Sequence, residues 1–229
     1  LGKAMRDAEK DKSVRCIVIT GAGRGFNAGQ DLADADDGYK GDKPLELGAH
    51  LRKHYNPLIT SIRRMEKPVI ASVNGVAAGA GMSLALACDI RIAAESASFI
   101  EAFVHVGLVP DASSSFFLPR LVGVSRAFEI AATGRKVKAD EALEIGLVNR
   151  VAPDADLAGE TRKIAEQFAA LPPKAIGLTK RLLNAAWTND VEAQLDYEAQ
   201  LQTVAGRTQD HREGISAFLE KRKPKFTGE

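Results

Sequence analysis

Pro68-Val69-Ile70-Ala71-Ser72-Val73-Asn74-Gly75-Val76-Ala77-Ala78-Gly79-Ala80-Gly81 is the stretch that decides how this chain is read. Val69 to Val73 is short, nearly all apolar and rich in branched residues. Such a run reads as a strand buried on both faces, the kind found in parallel sheets. Asn74-Gly75 is a turn signal. The small-residue segment Val76 to Gly81 then leads to a helix start at 82–88. The first amides of a helix lack intrahelical acceptors and carry partial positive charge. An oxygen gaining negative charge is stabilised there. Small residues also permit close helix–sheet packing, and composition alone does not separate the two uses.

Working outward, Leu1, Met5 and Ala8 recur at helical spacing, so 1–12 reads as an amphipathic helix. Cys16-Ile17-Val18-Ile19 is a second buried strand, followed by a glycine-punctuated turn from Gly21 to Leu32 and a polar loop at 33–44. Leu51, Tyr55, Leu58, Ile59, Ile62 and Met65 mark a helix that Pro68 ends. Ile90 to Ala93 reads as a third strand and Phe99 to Phe103 as a fourth, before a turn at Gly107 to Asp111. Beyond it lie helical patterns at 124–131 and 157–168, then nearly continuous helix from Pro173 to Phe218, interrupted near Thr188 and Gly206. Strands early and helices late imply an α/β core over 1–170 and a helical region over 171–229.

Composition excludes several classes. The 229 residues carry 31 basic and 30 acidic side chains, a net charge of +1. That balance lacks the basic excess of a nucleic-acid binder. No apolar run reaches the ~18 residues of a membrane span. The two cysteines, Cys16 and Cys88, sit among apolar neighbours. They read as buried thiols of a reducing compartment, and no secretory signal opens the chain, so a cytoplasmic protein is expected.

Each candidate site has an ordinary reading beside it. Gly21-Ala22-Gly23-Arg24-Gly25-Phe26 follows a strand, but Phe26 stands where a dinucleotide fingerprint needs its third glycine. Gly81-Met82-Ser83-Leu84-Ala85 resembles a nucleophile elbow, yet the strand ends ten residues before Ser83. A serine bonding locally within its helix explains it as well. His50 and His54 are four apart on a helix, without further ligands at a recognised metal spacing, so no metal is expected. His105 reads as a satisfied strand histidine. Lys221-Arg222-Lys223 with Lys225 reads as a solvated terminus that could also hold a phosphate. Asp111 follows Pro110 and precedes a helix start. It can be a cap, or a general base in the apolar surround of Phe103, Leu108, Val109, Phe116 and Phe117.

Several segments in order carry a family resemblance. Phe26-Asn27-Ala28-Gly29-Gln30-Asp31-Leu32 and Pro68 to Gly81 resemble two motifs of the crotonase, or enoyl-CoA hydratase/isomerase, superfamily. Gly107-Leu108-Val109-Pro110, Ala139-Asp140-Glu141-Ala142, Gly146-Leu147-Val148 and Phe218-Leu219-Glu220-Lys221-Arg222 continue the match. The resemblance implies a spiral of ββα units, a helical C-terminal trimerisation region, and homotrimers that pair into hexamers. Family members begin with two strands absent here, so a preceding segment is expected. The implied substrate is an acyl-CoA thioester, with coenzyme A part of the substrate and no separate cofactor. The implied oxyanion hole is the pair of backbone N–H groups of Gln30 and Ala80. Ala28, Asp31, Leu32, Phe218 and Lys221 are the implied CoA and substrate contacts, Lys221 reaching a phosphate.

The departures matter most. Hydratases of the family carry two glutamates, and the matching positions here are Ser83 and Phe103. Neither moves a proton. Asp111 stands where some isomerases and dehalogenases of the family carry their working carboxylate. Glu101 is its rival, sharing a face with Phe103 if that strand is regular. Tyr55-Asn56-Pro57-Leu58 and the ending at Lys225-Phe226-Thr227-Gly228 resemble one branch. Its members rearrange a ring epoxide of an aromatic acyl-CoA to an oxepin and shift double bonds, using a single Asp. That branch commonly has two glycines after the Asp, where this chain has Ser113-Ser114-Ser115. The expectation is an acyl-CoA isomerase; a hydratase with a relocated acid and a non-catalytic CoA-binding homologue are the alternatives.

Overall fold

The computed structural model describes residues 1–29 and 46–229. In chain order the described elements are α1 (Gly2–Lys10), β1 (Ile17–Thr20), β2 (Gly25–Asn27), α2 (Leu47–His50), a π-helical turn (Leu51–Tyr55), α3 (Asn56–Arg64), β3 (Val69–Val73), β4 (Val76–Ala78), α4 (Ala80–Ala87), β5 (Ile90–Ala94) and β6 (Ser98–Ile100). A 3-10 turn (Ala102–Val106) follows. Then come α5 (Ser114–Val122), α6 (Val124–Thr133), β7 (Lys136–Lys138), α7 (Ala139–Glu144), β8 (Arg150–Ala152), α8 (Leu157–Ala169), α9 (Pro173–Ala185), α10 (Val191–Gly206) and α11 (Gln209–Leu219).

The strands form two sheets, ordered β1-β3-β5-β8 and β2-β4-β6-β7. The first three passes of the chain each lay one strand in the first sheet and the next in the second, which winds the core into a spiral of ββα units; in the last pair the order is reversed, with β7 antiparallel to β6 in the second sheet and β8 closing the first. The first sheet is parallel throughout, with Ile17 opposite Val69 and Ile70 opposite Ile90. Every residue of β3 is buried, as the continuous apolar run requires of a central parallel strand. Helix α4 is buried at all eight positions. It is apolar all round, so it belongs to the interior rather than to a solvated face. Ser72 and Thr161 hydroxyls meet at 2.9 Å and pin β3 to α8.

The C-terminal helices are anchored by a buried cation. Lys180 Nζ donates to the carbonyls of Ile62 and Lys67 and to Asp89 Oδ2 at 2.7 Å. Asp89 also accepts from Arg63 at 3.0 Å and from the Val69 amide. One carboxylate thus joins α3, the start of β3 and α9. No helix among the described residues is long and apolar enough to cross a membrane.

Several expectations are corrected. The fourth strand ends at Ile100, and Ala102–Val106 coils into the 3-10 turn because Leu108 and Gly107 amides bond back to Phe103 and Val104 carbonyls. Glu101 and Phe103 therefore share no strand face, and His105 is not a strand residue. Its ring nitrogen bonds the Gly134 carbonyl at 3.0 Å, so it is satisfied as expected. Helix α4 opens two residues earlier than its pattern suggests, and β2, β4, β7 and β8 were not anticipated. The polar loop expected at 33–44 lies outside the described residues.

Asp89→Ala leaves Lys180 and Arg63 without their carboxylate. Stripping one partner from a buried pair costs about 3 kcal/mol; urea unfolding of Asp89→Ala against the natural chain measures this.

Candidate active site

The strands of the second sheet set the site. Asn27 is opposite Ala77 and Ala78 opposite Ile100, so β2, β4 and the parallel part of β6 end side by side. The carboxyl ends of parallel strands are where such sheets hold ligands. Just beyond these ends lie Gly29, Gly79-Ala80 and Glu101. Gly79 has φ +51 and lets the chain leave β4 directly into α4. Its amide bonds the Ile100 carbonyl at 2.9 Å, which holds the helix entrance against the end of β6. Gly81 must be glycine, since a Cβ there would sit 2.0 Å from the Asn27 carbonyl oxygen.

Ala80 is the first residue of α4 and its amide bonds no described acceptor. Gly29, at φ +98, passes beside it: a Cβ on Gly29 would lie 3.1 Å from the Ala78 oxygen and 3.8 Å from the Ala80 nitrogen. The expected partner amide, Gln30, lies outside the described residues, as do Asp31 and Leu32. Ala28 is exposed at this edge.

Asp111 sits on the loop between the 3-10 turn and α5. Its backbone oxygen accepts from Ser83 Oγ at 3.0 Å and from the Ser114 amide at 3.0 Å. Ser83 lies within the first turn of α4, so this bond draws the Asp111 loop to the helix that opens at Ala80. The side chain is no cap: the N-cap position of α5 is Ser113, and Asp111 Oδ1 is buried without a hydrogen-bond partner among the described residues. Burial raises its proton affinity above the usual carboxylate range, while the charge of His50 works the other way. Tyr55 faces the same carboxylate, whose charge adds to burial in raising the phenol. Ala112 and Ser113 both take left-handed backbone, at φ 45 and 77, to make the bend that follows.

Glu101 is fully buried. Ser114 Oγ donates to its Oε2 at 3.2 Å, and Oε1 has no partner. Burial is the main cause, with Asp111 adding, that pushes this carboxyl from its ordinary 4.5 to about 7. Phe103, at the position matching a hydratase glutamate, places its ring 3.8 Å from the position of a Gly79 Cβ. It supplies an apolar wall.

The other readings resolve on geometry. Ser83 is fully buried, and its hydroxyl is spent on the Gly79 and Asp111 carbonyls, so it bonds locally and is no nucleophile. His50 and His54 rings lie 4.7 Å apart. No group of three or more His, Cys, Asp or Glu among the described residues could share a metal ion. Both cysteines are free; burial pushes Cys16 up to about 11 and Cys88 to about 12. Phe218, 81% exposed, lines a groove with Pro172, Ala175, Leu219 and Phe226, which contains neither Ala80 nor Asp111. Lys221, on left-handed backbone, makes no ion pair among the described residues, whereas neighbouring Arg222 is held by Glu213 and Glu220. The influence of His50 on Asp111 was not foreseen. It comes from the last residue of α2, at the entry to the π-helical turn, which no hydrophobic period announces.

The profile of the family described as enoyl-CoA hydratase/isomerase matches residues 1–229. A 1,2-epoxyphenylacetyl-CoA isomerase of Escherichia coli K12 is 46% identical over 228 residues, all of this chain and 87% of the relative. A crotonyl-CoA hydratase of Syntrophomonas wolfei is 38% identical over 224 residues, 97% of this chain and 84% of the relative. The crystal structure of an enoyl-CoA hydratase from Bacillus anthracis superposes with a TM-score of 0.92 at 36% identity, covering 99% of this chain and 86% of that one.

Glu101 makes stability depend on pH. Folded, it holds its proton up to about 7; unfolded, it loses it near 4.5. The folded state binds more protons in between, so stability falls as pH rises through that window and stays reduced above it. Glu101→Gln removes the titration. It should match the natural chain near pH 4 and exceed it by on the order of 3 kcal/mol at pH 8. Urea unfolding at both pH values measures this; a difference that does not vary with pH would contradict it.

Proposed function

This chain belongs to the enoyl-CoA hydratase/isomerase family, and we propose that within it the chain is an acyl-CoA isomerase with Asp111 as its acid/base. The Asp111 carboxylate takes a proton from the α or γ carbon of the acyl group. The electron pair of that C–H bond moves toward the thioester carbonyl, whose oxygen becomes an enolate. The amides of Ala80 and Gln30 hold that oxygen, each such donor contributing about 3 kcal/mol to the transition state. Asp111 returns the proton to another carbon, so a double bond shifts with no net oxidation. The observation that carries this reading is a partnerless, buried Asp111 oxygen on a loop bonded to α4, the helix whose first amide is open. The positions of the two hydratase glutamates hold Ser83 and Phe103.

The similarity to the E. coli enzyme supports aromatic-derived acyl-CoA as the substrate class, including rearrangement of a ring epoxide. Ala28, Asp31, Leu32, Phe218 and Lys221 are the proposed contacts to CoA and substrate. Phe218 lies in a groove apart from Asp111, which fits a contact made across subunits in a homotrimer or hexamer. A cytoplasmic location goes with this reading. One observation favours a second reading: Glu101 is a further carboxyl near Asp111, and hydration of a double bond needs a second acid.

Asp111→Asn should lower turnover at least ~100-fold while leaving the fold intact. Exchange of the substrate α-proton in deuterated water should fall in parallel; unchanged turnover retires the assignment. Incubation with crotonyl-CoA separates the readings, since a hydratase yields the hydroxyacyl product and an isomerase does not.

A further inference from the structure

The two carboxyls are joined through a single serine. Ser114 Oγ donates to Glu101 Oε2, and the Ser114 amide donates to the Asp111 carbonyl. Ser114 is itself fully buried, so this clamp is sheltered from water. Glu101 closes the end of β6, whose last residue, Ile100, accepts the Gly79 amide. No Lys, Arg or His makes an ion pair with Glu101 among the described residues, and its second oxygen has no partner. A fully buried carboxylate left without a cation is costly, whereas the neutral acid is not.

We propose that Glu101 is a positioning residue of this site, an uncharged carboxyl that fixes the Asp111 turn through Ser114 for as long as it keeps its proton. This rests on Asp111 being the working carboxylate. Two neighbouring carboxyls without a cation between them do not both ionise easily. With Asp111 charged, Glu101 keeps its proton. When Asp111 takes a proton from substrate, the repulsion that held Glu101 neutral is lifted. The groups recorded as acting on this pair are His50, whose charge favours ionised Asp111, and Tyr55, which faces Asp111 from the π-helical turn.

The experiment is a carboxyl-carbon NMR titration of the full chain, labelled in Asp and Glu, without ligand. In the natural chain Glu101 should titrate near 7. In Asp111→Asn its midpoint should fall by about one pH unit, because the neighbouring charge that holds its proton is gone, whereas in Glu101→Gln the Asp111 midpoint should stay where it is, since glutamine stands in for the neutral acid. The kcat/KM profile should decline as Glu101 ionises near pH 7, and that limb should be lost in Glu101→Gln, a change that a merely structural role would not produce. A Glu101 midpoint that is the same with Asn at 111 overturns the proposal, and so does one in the ordinary range near 4. If Glu101→Gln does not fold, the Asp111→Asn titration of natural Glu101 decides alone. Full turnover in Asp111→Asn would sink the isomerase reading and leave the titration result standing, so the two failures are told apart.

Discussion

Main chain pressed against main chain is what the site depends on. The carbonyl of Asn27 occupies the place where a side chain on residue 81 would project, and the Arg24 carbonyl does the same at Gly75, 2.1 Å from a Cβ there. These two contacts seat β2 against the start of β4 and the mouth of α4. Only with the strands packed this closely does the chain at Gly29 run beside the Ala80 amide. The positive charge of a helix start is a property of any helix. Directing it at the carboxyl ends of three parallel strands requires the absence of side chains at a few named positions.

Buried charge is treated in opposite ways in two parts of the molecule. Asp89 is met by Lys180, Arg63 and the Val69 amide, and serves as a structural rivet. Asp111 and Glu101 each keep a buried oxygen without a hydrogen-bond partner among the described residues. Groups that fold into apolar surroundings without compensation weaken the folded state, and they persist where chemistry needs a displaced proton affinity. The contrast separates a carboxylate that holds the protein together from a pair that the protein tolerates.

Much of this was legible before any coordinates. Val69–Val73 could only be a covered strand, and the small residues after it could only be a close approach of some kind. The family resemblance then supplied the spiral and pointed to Ala80 and Asp111. Other features depend on partners that a linear reading does not see. Val76-Ala77-Ala78 has too little bulk to look like a strand, and becomes one because β2 and β6 flank it. Glu101 looks like any acidic residue at the end of an apolar run. Its burial comes from the chain coiling at Ala102 and from Ser114 arriving over it. The turn at Leu51–Tyr55 closes its hydrogen bonds over one residue more than an α-helix, a change that the apolar residues running through it do not mark.

The bend after Asp111 is made by Ala112 and Ser113, two residues with side chains in a backbone region that suits glycine. Each such residue carries on the order of 1 kcal/mol of torsional strain. A glycine at either place would release it at once, so the methyl and hydroxyl groups occupy the bend despite a built-in handicap. They also narrow the range of shapes the loop can explore, since glycine would open conformations that alanine and serine deny. The stiffness of this corner is therefore a heritable trait written in two side chains, and a lineage could loosen it, and with it the setting of Asp111, in single steps.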